Sequence, residues 1–287
     1  MSNLVMLIGL PGSGKSTFAE KNYPSFVYLS SDKIREELYG DASIQDNPQK
    51  VFQIMRERAI EALEDGKDVV YDATNLVRKR RADFIRNLPK GHLVTAAVIW
   101  APLEECIKRD SERDRVVGRD VIMNMVKTFD APWYDEGFTS IYYYNPTNEN
   151  EKRKYTNDIV SAMEGISHDN PHHSTTISTH CYNCGKYLNE KGVNIDIEWA
   201  GWLHDVGKPI CKSFINNKGE KSENAHYYGH QHVSAWLAAG AMGYSSFGVW
   251  LISNHMEPFF NSKYFKGMSK YLKDSLLILH EADLQAH

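Results

Sequence analysis

The 287-residue chain contains only four cysteines, Cys106, Cys181, Cys184 and Cys211, too few for a disulfide framework at this length. It has no apolar run of the roughly 18 residues that a membrane helix requires. The stretch from Met1 to Gly9 has neither the charged segment nor the long apolar segment of a secretory signal. A reduced, cytoplasmic protein with no membrane partner is therefore expected. Charge of one sign is also scarce: 33 Lys and Arg stand against 37 Asp and Glu, a formal net charge of -4. Such a chain does not coat a nucleic acid by bulk charge, so any such contact must come from a local patch. Apolar residues are not scarce. With 42% hydrophobic and 24% charged residues, disordered and collagen-like classes are excluded. The length predicts two domains, each able to bury a core.

Two further absences divide the chain. There is no arginine beyond Arg153, and before residue 160 the only histidine is His92. Arginine suits bidentate phosphate recognition, whereas histidine suits metal binding and proton transfer. The turn cluster Asn145-Pro146-Thr147-Asn148, the charged run after it and the polar stretch 167–174 predict the boundary. Domains are expected over 1–150 and 175–287, joined by a linker at 151–174. In the first, the runs 4–9, 26–29, 69–71 and 93–100 read as buried strands. They alternate with helical patterns at 16–21, 49–64, 78–87 and 103–115, which predicts an α/β domain with a parallel sheet flanked by helices. The second domain reads as all-α, with helices over 180–190, 197–206, 230–242, 246–254 and 271–286.

Gly9-Leu10-Pro11-Gly12-Ser13-Gly14-Lys15-Ser16 matches the phosphate-binding loop pattern in full, after a strand and before a helix. Its backbone N–H groups, with those of Gly12, Ser13, Gly14 and Thr17 foremost, and the helix N-terminus would face phosphate oxygens. Lys15 would reach the β- and γ-phosphates and Ser16 would ligate Mg²⁺. ATP or another nucleoside triphosphate with Mg²⁺ is the expected cofactor, and Asp72, ending the third strand, would hold the Mg²⁺ or its water. Asp32 could accept a proton from an acceptor hydroxyl and Arg35 could hold a phosphate; a helix cap and a surface arginine are the plainer alternatives. Arg109 and Arg113, four apart on one helix face, could close over the transferring phosphoryl group or simply pair with nearby acids. The run Arg78-Lys79-Arg80-Arg81 is either a solvated face or a grip on an incoming polyanion.

These residues carry a resemblance. The first 150 residues resemble the P-loop 5′-hydroxyl polynucleotide kinases of phage and bacterial RNA repair. The match lies at Lys15 and Ser16, the Asp32/Arg35 pair, the strand end at Asp72-Ala73-Thr74-Asn75, and Arg109 with Arg113. The resemblance implies Asp32 as general base on a terminal 5′-OH and Arg35 on the adjoining phosphate. It places Arg109 and Arg113 on the ATP phosphates.

In the second half, His204-Asp205-Val206-Gly207-Lys208-Pro209 puts an imidazole, a carboxylate able to bridge two ions and a phosphate-neutralising Lys208 on one turn. His180, His226, His230, His255 and Asp283 follow one or two per helix, which is how bundle-core metal sites are built. The order resembles the HD phosphohydrolase superfamily over 175–287. That resemblance implies His180, His204, Asp205 and Asp283 as ligands of one divalent transition metal (Mn²⁺, Ni²⁺, Fe²⁺, Co²⁺ or Zn²⁺). His230 and His255 would hold a second, with Asp205 bridging and His226 a weaker candidate. Cys181-x-x-Cys184 lacks a partner pair and reads as two helix cysteines rather than a zinc site. His172, His173 and His232 fit no pattern.

Both resemblances together imply an end-healing enzyme acting on RNA or DNA ends: a 5′-kinase fused to a phosphohydrolase of 2′,3′-cyclic, 2′- or 3′-phosphate. A separate RNA ligase would be its partner, and a homo-oligomer is compatible with it. Two alternatives stay open. One is a nucleoside or sugar kinase fused to an HD nucleotidase. The other is an ATP-driven switch whose second half senses a nucleotide.

Overall fold

The computed structural model describes residues 2–171, 174–242, 245–260 and 262–286; His172 and His173 fall outside them. Contacts divide the chain into two units, Met1–Met125 with Pro132–Pro146, and Val126–Ala131 with Thr147–His287.

The first unit is built on a parallel five-stranded sheet, β1 (Asn3–Ile8), β2 (Val27–Ser30), β3 (Val69–Asp72), β4 (Leu93–Ile99) and β5 (Ser140–Tyr144), in the order β2-β3-β1-β4-β5. The central strand β1 pairs with β3 (Leu4 opposite Val69) and with β4 (Leu4 opposite Val94). Its run Leu4–Ile8 is buried throughout, as expected of a parallel strand covered on both faces. The helices of this unit are α1 (Lys15–Asn22), α2 (Ser31–Tyr39), α3 (Pro48–Glu64), α4 (Arg78–Arg86), α5 (Leu103–Ser111) and α6 (Arg119–Val126). Strand β5 was not expected. Its Ser-Ile-Tyr-Tyr-Tyr sequence is held by packing: the Tyr144 ring lies 4.6 Å from that of Phe18 on α1.

The second unit comprises α7 (Glu149–Ser161), α8 (Ile177–Glu190), α9 (Ile195–Leu203), α10 (Lys208–Cys211), the strands β6 (Ser213–Ile215) and β7 (Lys221–His226), then α11 (His230–Met242), α12 (Ser246–Asn254), α13 (Glu257–Phe260) and α14 (Lys270–Gln285). It is helical but not purely so, since β6 and β7 form an antiparallel hairpin. The hairpin escaped the helical periodicity because β6 is only three residues long and β7 is mostly polar and exposed. The Asn216 side chain accepts from the backbone of Lys218 and Glu220, and Gly219 turns at φ +81°.

The expected boundary shifts for two physical reasons. Residues 149–161 are helix α7, begun by a capping box between Asn148 and Glu151 and packed on α11. Residues 126–131 belong with the helices because Phe129 is fully buried there, edge-on to Trp236 at 5.2 Å. Ala131 N–H donates to Ser253 Oγ at 3.2 Å in the same place.

The basic run at the start of α4 is not a uniform solvated face. Arg81 is buried, and its Nε and Nη2 donate to Glu136 at 2.8 and 2.9 Å. Its Nη1 donates to the carbonyls of Asn75 and Leu76, and the neighbouring Arg78 pairs with Asp135 at 2.6 Å. Arg81 therefore fixes the loop after β3 and offers nothing to a polyanion. Arg81→Ala leaves the Glu136 carboxylate buried without its cation, so a loss of about 3–5 kcal/mol is expected. Urea titration checks this: an unchanged midpoint refutes the structural role.

Candidate functional sites

In the first unit, the carboxyl ends of β1, β2 and β3 place the phosphate loop, Asp32 and Asp72 on one side of the sheet, where ligands of parallel α/β sheets bind. The loop turns at Gly12 (φ +75°), where a Cβ would sit 2.2 Å from the Cys106 carbonyl oxygen. Only glycine fits both the dihedral and the space. Lys15 curls back, donating to the carbonyls of Gly9 and Leu10 at 3.1 and 2.8 Å. Burial lowers its pKa, against the attraction of Asp72. Ser16 Oγ donates to Asp72 Oδ2 at 3.1 Å, and Tyr28 donates to the same oxygen. A hydroxyl and a carboxylate, donors of the kind that hold Mg²⁺, are thus already together.

A cavity of about 410 Å³ is bounded by the loop residues Gly12, Lys15 and Thr17 and by Asp32, Arg35, Asp72, Arg109, Arg113 and Arg115. Ser13 belongs to the loop, but its side chain is buried beneath it, against the Gly9 backbone. Asp32 stands in the first turn of α2, whose N-cap Ser30 accepts from its N–H at 3.3 Å. Its Oδ1 accepts from Arg35 at 3.1 Å and from Arg115 at 2.7 Å. Arg109 pairs with Glu105 at 2.8 Å and Arg113 lies 3.8 Å from Asp110, while both line the cavity. Arg115 is the residue that sequence reasoning left without a role. It stands two residues beyond Arg113, and only the path of the chain after α5 aims it at Asp32.

In the second unit, five elements deliver one polar cluster to a buried centre: His180 from α8, His204 and Asp205 after α9, His230 from α11, His255 after α12 and Asp283 from α14. His180, His204 and Asp283 offer ligand atoms within 4.8 Å of one another, and so do Asp205, His230 and His255. Asp205 joins the two groups. Its Oδ2 lies 3.4 and 3.6 Å from His204 and His180, and its Oδ1 lies 3.3 and 3.8 Å from His230 and His255. His180 Nε2 is 2.9 Å from Asp283 Oδ1. The His204–Asp205 turn can come this close to α11 because Gly207 has no Cβ; one would sit 2.6 Å from the Ser234 nitrogen.

The donor set fits divalent ions on its own chemistry. The Nδ1 atoms of His204, His230 and His255 lie 2.8–2.9 Å from the carbonyls of Gly201, Tyr227 and Ile252. Those bonds assign each Nδ1 a proton and turn each Nε2 toward the cluster. There His230 Nε2 and His255 Nε2 face each other at 3.3 Å, and His180 Nε2 and His204 Nε2 at 3.1 Å. Ring nitrogens this close need a proton or a metal ion between them.

The charges are strongly coupled. Burial raises the Asp205 pKa, but Lys208, at 2.5 Å, and His204 outweigh it and hold the carboxyl well below its ordinary range. Burial likewise opposes Asp283, where His180 and His204 win, and His204, where Asp205 wins and keeps the imidazole well above its usual value. Burial and then the neighbouring His204 and His230 push His255 down to about 3. His168, which no motif marked and which falls in the expected linker, is also buried beside this cluster, 3.4 Å from Lys208; burial and Lys208 lower it to about 3. His226 joins neither ligand group and stacks on Tyr228 instead. Cys181 and Cys184 lie fully buried on α8.

Residues 4–132 match a family model described as an AAA domain. Over 145 residues the chain is 34% identical to the L-seryl-tRNA(Sec) kinase of Methanococcus maripaludis, covering 45% of this chain and 53% of that protein. It is 29% identical over 147 residues to transcription factor bHLH140 of Arabidopsis thaliana, covering 49% of this chain and 16% of that one. The chain therefore spans about half the length of the first relative and far less of the second. Among solved structures, the Pnkp1/Rnl/Hen1 RNA repair complex aligns at 24% identity and a TM-score of 0.41, over 45% of this chain and 44% of that one. The matched region, the complete phosphate loop and the parallel sheet make the first unit a P-loop, kinase-like domain.

Acid sensitivity of the second unit follows from its histidines. His168 and His255 are neutral when folded, but unfolded they take protons near the ordinary value of 6.5. Stability contributed by these depressed groups is complete above 6.5 and is lost as pH falls toward 3. The depressed Asp205 and Asp283 act in the same sense below their ordinary value of 3.8. His204, raised, contributes fully below 6.5 and adds nothing further with acid. In chelator-treated protein the thermal midpoint should fall steadily from pH 6.5 downward, with a shallower slope in His168→Gln. A flat profile contradicts the buried neutral histidines.

Proposed function

We propose that the chain is a bifunctional end-healing enzyme: an ATP-dependent kinase of 5′-OH polynucleotide ends and a phosphohydrolase of 2′,3′-cyclic, 2′- or 3′-phosphate ends. The observation that carries it is the presence on one chain of two separately built sites. One is the Lys15–Asp32–Asp72 cavity; the other is the Asp205-bridged cluster. The kinase relative, whose name gives seryl-tRNA as what it acts on, supports a hydroxyl acceptor carried on RNA.

In the kinase unit, the loop N–H groups and Lys15 hold the β- and γ-phosphates, and Ser16 with Asp72 places Mg²⁺. Asp32 accepts the proton of the attacking 5′-hydroxyl. Arg35 leaves its pairing with Asp32 to hold the substrate phosphate, while Arg115 keeps the carboxylate aimed. Arg109 and Arg113 neutralise charge on the transferring phosphoryl oxygens. In the helical unit, His180, His204, Asp205 and Asp283 would hold one divalent ion and His230 and His255, with Asp205, a second. Such ions supply Lewis acidity toward a phosphoryl oxygen and acidify water. Lys208, buried against Asp205, is placed to neutralise the phosphate being released. The products, a 5′-phosphate and a 3′-OH, are what a polynucleotide ligase consumes.

A second reading, a nucleoside or sugar kinase fused to a nucleotidase, is favoured by the net charge of -4 and by the burial of Arg81 away from any polyanion. An RNA oligonucleotide with a 5′-OH and a 3′-phosphate or 2′,3′-cyclic end, incubated with ATP and Mg²⁺, Mn²⁺ or Ni²⁺, decides between them. Labelled phosphate should reach its 5′ end, and much less should reach a free nucleoside. Preferred transfer to the nucleoside establishes the second reading.

Two sets of variants separate the sites. Lys15→Ala should abolish 5′ labelling and spare phosphate release, and Asp205→Ala should do the reverse; Asp32→Asn should lower the kinase kcat by about 10²–10⁴-fold. Elemental analysis should find two divalent ions per chain in the wild type and one in His255→Ala. Asp205→Ala should hold none. Full metal content in Asp205→Ala is incompatible with a bridging carboxylate.

A further inference from the structure

Beside the Asp205 cluster lies a cavity of about 700 Å³, within the roughly 300–1,000 Å³ typical of small-molecule pockets. Its lining combines two chemistries: Asp205 and Lys208 of the cluster, where a phosphate would sit, and the rings of Tyr228, Phe259 and Phe260.

A site that handles only a phosphate has no use for such rings. Water-exposed aromatic rings gathered at a cavity are the mark of a binding surface. Here Phe260 is 80% exposed and Tyr228 is 49% exposed. Both are supported from behind. The Tyr228 ring lies parallel to His226, at 5.3 Å and an interplanar angle of 6°, and its hydroxyl is 3.3 Å from His226 Nδ1. Phe259 is held edge-on by His280 at 4.2 Å and in turn flanks Phe260 at 6.1 Å. The stack on His226 orients the Tyr228 ring, which cuts the ordering cost of binding there. The lining also keeps a polar group in reserve: His226 Nε2 is buried and has no hydrogen-bond partner among the described residues.

An occupant that satisfies both chemistries has a phosphate joined to a flat π-system through a polar spacer. That is the chemistry of a nucleoside monophosphate, free or at the end of a strand. We propose that Tyr228 and Phe260 form a nucleobase platform, so that the helical unit recognises the terminal nucleotide by stacking rather than its phosphate alone. Stacking of this kind tolerates any base, because every base has a π-face. The inference rests on the phosphohydrolase reading for the phosphate only; the platform is a binding statement and is tested as one.

Calorimetry on the full chain with Mn²⁺ compares a nucleoside 3′-monophosphate with inorganic phosphate. The wild type should bind the nucleotide about 5- to 150-fold more tightly, the range that base–aromatic stacking supplies. Tyr228→Ala and Phe260→Ala should each erode that preference while inorganic phosphate remains the internal reference. Both rings are exposed, and unchanged circular dichroism and metal content establish that the variants fold. Equal affinity for the two ligands in the wild type, binding of neither, or a preference that survives both substitutions overturns the platform. Preferential nucleotide binding without any phosphate release from RNA ends leaves the platform standing and sinks the end-healing reading instead.

Discussion

The second unit is organised around one buried carboxylate. Asp205 contacts Lys208 and stands within 4 Å of four imidazole nitrogens. A carboxylate out of water is tolerable only when positive charge surrounds it. Three histidines have Nδ1 committed to backbone carbonyls at helix ends, so their Nε2 atoms converge rather than turn away. Convergent ring nitrogens and carboxylate oxygens repel unless protons or metal ions lie among them. The helices α8, α9, α11, α12 and α14 must therefore hold their ends together against this repulsion, and their tight packing, down to the missing Cβ at Gly207, does that.

The first unit meets a different constraint with a similar device. Its phosphate loop must turn its amides inward, which requires a left-handed backbone at Gly12 and Gly14 and leaves no room for a side chain against Cys106. The end of β3 must present Asp72 beside Ser16, and the buried Arg81–Glu136 pair pins the loop that follows. In both units, a buried charged pair does the positioning while the residues that would meet substrate remain reachable from a cavity. Asp32 illustrates the balance: two arginines orient its carboxylate, yet its side chain stays 43% exposed.

Much of the fold was legible because it rests on local signals. A continuous apolar run reads as a buried parallel strand, and the match of Leu4–Ile8 to β1 follows from that. The helices α11 and α12 were legible to the residue from their apolar content. Strand β5 was not, because its tyrosines read equally as surface until Phe18 is brought beneath them. The polar hairpin β6–β7 carries no periodicity to read. Helix α7 did carry a signal, the Asn148/Glu151 capping box, inside a stretch whose charge suggested a linker.

The site residues divide the same way. Lys15, Ser16 and the glycines of the loop could be named from spacing alone, because the phosphate cradle is a local backbone structure. His180, His204, Asp205, His230, His255 and Asp283 could be named only through the family resemblance that their order carries. Their approach to one another could not: distances of 3 to 4 Å between residues up to 103 positions apart arise only when five elements pack. Arg115 on Asp32, His168 beside Lys208 and Arg81 under the sheet loop belong wholly to tertiary structure. Their side chains are chemically ordinary, and only the path of the chain decides what each one faces. The sequence by itself thus determined which groups were available for chemistry, through local geometry and residue type; packing alone decided which of them meet, because contact between distant residues depends on the whole fold.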